Sequence, residues 1–384
     1  YYMLRSAASK AVRFKDASGS RLFSVQKNVK GNSRMNEINV CGNCGGMLQL
    51  YGRIDTDIEN GIKLVWPGSY VKFYFDGTSL SVKINNFRFW NGKYIGAVID
   101  GEEKKIELAD GEQTVHIASN LADDRHEAII YKRMAGHYFD VEKIILDDGA
   151  KLLEPDPLPE KKIEFYGDSV TAGDLVDYDD CTGKPDPAEN DGSRDNSWHT
   201  YAMICARELP AQVYNTSQGG IAIFDGTGYF EMPSTKGLES CYDKLRYCSG
   251  DKITNWDFSR FVPHVIVFAV GQNDSSVGND KIYDPEYRDR WETRYMQIIN
   301  SVRSHSPKAA VVLALTLMGH DSGWDNAIEE IKNRLGGEEN GVYHLRYKRA
   351  GKATPGHPRN AEQREMADEL IEFLNSLPQN IWQN

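Results

Sequence analysis

Between about Asn39 and Gly149 apolar and polar side chains alternate. In "VKFYFDG" Val71, Phe73 and Phe75 share one face, in "LSVKIN" Leu80, Val82 and Ile84 do, and "YIGAVIDG" and "QTVHIAS" follow at short intervals. Period-two runs separated by Asp-Gly and Gly-Glu turns predict antiparallel strands with one buried face. The architecture this pattern implies is an all-β jelly roll or β-sandwich. His116 and His126 lie inside the alternation without companion ligands and read as structural.

The pattern breaks at "EPDPLPEKK", where Pro155, Pro157 and Pro159 favour a stiff, extended linker. Beyond it the period changes. "KIEFYG" reads as a strand, Trp198, Tyr201, Ala202, Cys205 and Leu209 have helical spacing, and "PHVIVFAVG" and "AAVVLALT" are unbroken apolar runs. Met366, Leu370 and Phe373 line one face of a last helix. Apolar strands alternating with amphipathic helices predict an α/β domain, a mostly parallel sheet with helices on both faces. The expected organisation is an arm, a leader or foreign sequence over 1–38, a sandwich over 39–153, a linker over 154–162 and an α/β domain over 163–384.

Composition narrows the partners. With 45 Lys and Arg against 56 Asp and Glu, the net charge of −11 disfavours nucleic acid and anionic membranes as partners. No apolar run reaches the roughly 18 residues of a membrane helix. Six cysteines are too few for a disulfide scaffold. Cys41 and Cys44 form "CGNCGG", but no second ligand pair accompanies them, so a glycine-rich turn or a local disulfide is expected rather than zinc or redox chemistry.

In an open α/β sheet, ligands bind at the carboxyl ends of the strands. There the sequence places "GDSVTAG" with Ser169, "TSQGGIA" with Gly219 and Gly220, "GQNDSS" with Asn273 and Asp274, and "KATPGHPRN" with His357 before the last helix. Each alone reads as a cap, a turn or a solvated side chain. Together they hold the parts of acyl transfer: a nucleophilic hydroxyl, a base, and N–H donors for the oxyanion of a tetrahedral intermediate.

"GDSVTAG", "NTSQGG", "GQND" and the histidine followed by proline resemble, in order, blocks I, II, III and V of the SGNH (GDSL-like) hydrolases, from Lys161 to the C-terminus. The resemblance implies Ser169 as nucleophile, His357 as general base, and an oxyanion hole of the Ser169 and Gly220 N–H groups with the Asn273 side-chain amide. Gly219 is the alternative to Gly220, since the paired glycines leave the register open by one. A sandwich joined to such a domain by a short linker resembles carbohydrate esterase family 2, whose members remove acetyl groups from xylan and related plant polysaccharides. The implied partner is an acetylated glycan, with no cofactor and no metal. Self-association is left open, and an exported location is favoured for a polymeric substrate, a cytoplasmic one for an imported oligosaccharide. The other readings are a lipase or thioesterase of the same superfamily and a non-catalytic carbohydrate-binding protein.

One departure stands out. Block V normally reads DxxH, and here Thr354 occupies the position of the acid. The expectation is a Ser-His dyad whose imidazole is oriented by a main-chain oxygen, with Asp321 or Asp325 as rival acids and Asp168 in a structural role. For sugar contact the expected aromatic residues are Trp324, Trp198 and Trp256.

Overall fold

The computed structural model describes residues 35–89 and 93–383. The residues before 35, most of the expected arm, lie outside the described residues. Asn36–Asn39 is already a strand and pairs with Lys143–Leu146, so the first sheet begins inside the expected arm.

The alternating half forms two antiparallel sheets. One runs in the order Ile54–Asp55, Ile62–Leu64, His137–Leu146, Leu80–Arg88, Gly111–Ala118. The other runs Leu152–Leu153, Tyr70–Phe75, His126–Tyr131, Tyr94–Ile99, Glu102–Glu107, with Leu48–Tyr51 also on Tyr70–Phe75. Val71, Phe73 and Phe75 from one sheet and Leu80, Val82 and Ile84 from the other are buried in a shared core, while Lys72, Ser81 and Lys83 between them are partly exposed. Period-two alternation therefore selects the buried face, because one step of register would exchange every side chain. Cys41 and Cys44 occupy a turn and are unbridged, and Cys44 Sγ donates to Asn39 O at 3.8 Å.

The second half is a five-stranded parallel sheet. Its strands are β1 (Lys161–Gly167), β2 (Ala211–Ser217), β3 (Val265–Ala269), β4 (Ala310–Ala314) and β5 (Val342–Leu345), in the order β2-β1-β3-β4-β5. Successive residues feed opposite layers. Phe165, Val267 and Val312 pack under the helices Tyr201–Glu208 and Asn360–Ser376. Tyr166, Phe268 and Leu313 pack under Pro285–Ser304 and Ser322–Arg334. Burial on both faces is why these strands read as continuous apolar runs.

The two halves share a buried polar seam. Arg53 of the sandwich is fully buried and donates to Glu164 Oε1 at 2.9 Å, to Tyr166 OH at 2.5 Å, and to the main-chain oxygens of Tyr242 and Lys244. At a second point, Glu103 and Arg133 of the sandwich meet Asp177 and His199 of the α/β half. Arg133 pairs with both carboxylates, and His199 Nε2 lies 2.7 Å from Glu103 with Nδ1 3.3 Å from Asp177. Burial opposes protonation of His199, but Asp177 and Glu103 outweigh it and raise its pKa to about 9. Trp198 stacks on Tyr131 with centroids 5.2 Å apart and meets Tyr70 edge-on at 5.5 Å, both of them sandwich residues.

Removing one member of a buried ion pair strands the other charge, so Arg53→Ala is expected to lower the unfolding free energy by about 3–5 kcal/mol. Arg53→Met combined with Glu164→Leu should recover most of that in a urea unfolding series. The raised pKa of His199 means that the folded state holds its proton more tightly than the unfolded chain. This stability is fully present below the ordinary histidine pKa and is lost as pH rises through about 9. Melting temperature should therefore fall across that window, and His199→Gln should flatten the fall.

Candidate active site

β1 ends at Gly167, and the chain turns at once into the short helix Ser169–Ala172. Asp168 is extended and caps that turn, its Oδ1 accepting from Val170 N at 3.0 Å, while Oδ2 is buried without a partner. Burial raises the Asp168 pKa to about 6. The carboxylate belongs to the turn's scaffold, as its cap role requires. Ser169 is left at the carboxyl edge of β1, and among the described residues no group hydrogen-bonds its hydroxyl.

β2 is followed by Gln218-Gly219-Gly220, and β3 runs through Val270 into Gly271-Gln272-Asn273. Asn273 Nδ2 donates to Ile221 O at 3.0 Å, which seats the amide against the glycine turn. Beside it, the fully buried Asp274 accepts from Ile223 N at 2.9 Å and pins the same loop from below. The Gly220 carbonyl is taken by Tyr229 N at 2.8 Å, and its N–H has no acceptor among the described residues. Ser169, Gly220 and Asn273 thus come from three adjacent strand ends.

His357 arrives from the far end of the chain. Asn360 N bonds Val176 O at 3.1 Å, Gln363 Nε2 bonds Val170 O at 3.0 Å and Arg359 Nη1 bonds Leu175 O at 3.1 Å, which fastens the histidine loop to the segment that follows Ser169. Ser169 Oγ and His357 Nε2 do not hydrogen-bond each other in this structure. Such contacts commonly tighten only when substrate is bound.

The group that orients the imidazole corrects the dyad expectation. His357 Nδ1 faces Asp186 Oδ2 at 2.6 Å, and the His357 main-chain N–H donates to Asp186 Oδ1 at 2.9 Å. Arg359, fully buried, donates to the same Oδ1 at 2.6 Å. A carboxylate therefore stands where a main-chain oxygen was expected. Neither rival acid reaches the base: Asp321 caps the helix Ser322–Arg334 and accepts from Tyr283 OH, and Asp325 faces His320 Nε2 at 3.1 Å. Thr354 is buried and bridges to Met318, so the DxxH position serves the backbone. The signal for Asp186 was present in "KPDPAEN", an aspartate locked between two prolines much as His357 lies between Pro355 and Pro358. Its distance of 171 residues from the base hid the pairing. Gly356 completes the fit, since a β-carbon there would stand 2.5 Å from Asp186 Oδ1 and 2.8 Å from Lys184 O.

Burial disfavours charge on Asp186, but the His357 and Arg359 hydrogen bonds prevail and hold its carboxyl well below the usual range. On His357 burial likewise opposes the charge. The hydrogen bond to Asp186 and the fields of Asp174 and Asp168 outweigh it and raise the imidazole pKa above its ordinary value. The site stabilises imidazolium, the species a general base becomes when it has taken a proton.

The expected sugar-contacting tryptophans do not reach this rim. Trp324 is 0% exposed, Trp256 5% and Trp198 8%. Trp324 packs edge-on against Trp291, Trp256 lies near Tyr214 beside Arg53, and Trp198 fills the seam between the halves. Their apolar area outweighs any surface role. Tyr229, whose N–H bonds the Gly220 carbonyl, is an exposed aromatic at 56%.

Residues 50–156 match the carbohydrate esterase 2 N-terminal family, and residues 165–335 match the GDSL-like lipase/acylhydrolase family. Cellulase/esterase CelE of Acetivibrio thermocellus is 30% identical over 277 residues, covering 71% of this chain. The match spans only 31% of CelE. The acetylxylan esterase / glucomannan deacetylase of Cellvibrio japonicus is 26% identical over 305 residues, 77% of this chain and 78% of that protein. The solved family two carbohydrate esterase from Clostridium thermocellum, in complex with cellohexaose, superposes with a TM-score of 0.72 at 26% identity, over 85% of this chain and 98% of that one. The chain thus joins a carbohydrate esterase 2 N-terminal domain to a GDSL-like hydrolase domain in one frame, the architecture of the family 2 carbohydrate esterases it resembles.

Proposed function

We propose that this protein is a serine esterase that removes O-acetyl groups from xylan or related plant polysaccharides and oligosaccharides. The observation that carries the reading is the bidentate hold of Asp186 on His357, in a site where, among the described residues, the Ser169 hydroxyl and the Gly220 N–H have no partner. Ser169 Oγ attacks the acetyl carbonyl as His357 Nε2 takes its proton. The Ser169 and Gly220 N–H groups and the Asn273 amide receive the oxyanion. His357 then returns the proton to the departing sugar oxygen, leaving an acetyl-enzyme that water clears by the same steps reversed. Asp186 keeps the imidazole in the tautomer that presents Nε2 to the serine. Tyr229, exposed next to Gly220, is the aromatic face best placed to meet a sugar ring. Support for the glycan comes from the relatives, which are named for acetylxylan and glucomannan or solved with cellohexaose.

Acetate release from acetylated xylan, measured beside p-nitrophenyl acetate and p-nitrophenyl octanoate, tests the reading. Xylan and p-nitrophenyl acetate should be cut, octanoate refused, and Ser169→Ala inactive on all three. A preference for octanoate would move the protein to the lipases, and no cleavage at all would favour the glycan-binding alternative.

Asp186→Ala should cost up to about 10⁴ in kcat, the scale of losing a triad acid. Asp325→Ala should stay within about tenfold of wild type, and the reverse ranking would restore the rival acid. Because the base must be neutral, kcat/KM should rise with pH through a pKa above that of ordinary histidine. Asp186→Asn, by removing the charge that favours imidazolium, should move this acidic limb to lower pH.

A further inference from the structure

Asp174 stands one turn beyond the nucleophile, its main-chain N–H bonded to the Ser169 carbonyl at 3.0 Å. Its carboxyl lies against the glycine pair. A β-carbon on Gly219 would be 2.5 Å from Asp174 Oδ2 and 3.3 Å from Oδ1, so the glycine makes room for an acid beside the oxyanion donors. Among the described residues no N–H or O–H donates to either oxygen. Oδ1 is sealed from solvent without a partner, while the residue as a whole is only partly buried. The charged and titratable groups around it are Asp195, Asp168, Asp186, His357 and the buried Lys132. Burial and the nearby Asp195 raise the Asp174 pKa to about 8. The carboxyl therefore holds its proton to higher pH than an ordinary carboxylate; ionised it can accept from a hydroxyl, and protonated it can donate to one as well.

A carboxyl without a protein donor next to a nucleophile is costly, and Oδ2, which faces Gly219 and is not sealed, is the atom that a donor arriving with the substrate would meet. The acetyl group binds at Ser169 and the oxyanion donors, so what lies beside it is the alcohol portion of the ester. A sugar hydroxyl on the carbon next to the acetylated one both donates and accepts, and no such group exists on a simple alkyl ester. Resting on the esterase reading above, we infer that Asp174 is a specificity-determining residue that hydrogen-bonds the hydroxyl vicinal to the scissile acetate, so that the enzyme selects monoacetylated diol units of a glycan over isolated esters. A site built to bond a substrate hydroxyl rejects the analogue that lacks it far more strongly than an apolar pocket discriminates by size.

The test uses two esters of equal ring size, trans-2-hydroxycyclohexyl acetate and cyclohexyl acetate, with p-nitrophenyl acetate as reporter of the catalytic machinery. The wild type should prefer the hydroxy ester in kcat/KM. Asp174→Ala should lose about tenfold to hundredfold more on the hydroxy ester than on cyclohexyl acetate, the scale of leaving one polar partner unpaired. Asp174→Asn, which keeps a donor and an acceptor, should retain most of the preference, and it serves as the reading should the alanine variant fold poorly. Equal losses on both esters, or none on either, would overturn the assignment while leaving the esterase reading intact if p-nitrophenyl acetate is still cut. A wild type inert toward all three esters would remove the esterase reading and this inference together.

Discussion

Everything at the active rim depends on one carboxylate accepting three donors. Asp186 binds the ring and the main-chain N–H of His357 and the guanidinium of Arg359, so the imidazole is fixed in position, orientation and tautomer by one group. The arrangement is self-consistent. Arg359 lies two residues after the base it supports, and its other contact, to Leu175 O, leads back to the segment carrying Ser169. A hydrogen bond between ionised partners is stronger and shorter than a neutral one. Here the Asp186 carboxyl accepts hydrogen bonds from His357 and from the Arg359 guanidinium, which is why it stays ionised despite partial burial.

The sandwich contributes to the same order from the other side. Glu103 and Arg133 hold Asp177 and His199, and Asn360, the first residue of the helix after His357, bonds both His199 and Asp177. The backbone of Lys132 and Arg133 also receives the Ser197 hydroxyl and N–H. The β half thus reaches the histidine loop through two side-chain steps.

Much of this was legible from the sequence, and the parts that were not share one cause. Alternation located Val71, Phe73, Phe75, Leu80, Val82 and Ile84 correctly because a half-buried strand imposes its period on the sequence. The runs "VIVFA" and "AVVLA" were legible because a strand covered on both faces has no polar positions. The turn around Ser169 was visible because small residues must crowd a strand-to-helix corner. Asp186 was missed because a carboxylate's role depends on which distant residue it meets, and spacing along the chain carries no record of that. Trp324 was misplaced for a related reason: following a strand at the active rim does not decide which way an indole turns, and the apolar layer between two helices claimed it.

The seam built on Arg53 has a consequence for how such a protein can be rearranged. Its charge is satisfied only when Glu164, Tyr166 and the carbonyls of Tyr242 and Lys244 are present, all of them from the α/β half. The two folds are therefore not interchangeable modules that a recombination event could pair with new companions. The unit that can be transplanted into a larger polypeptide is the pair, cut outside both folds and moved whole.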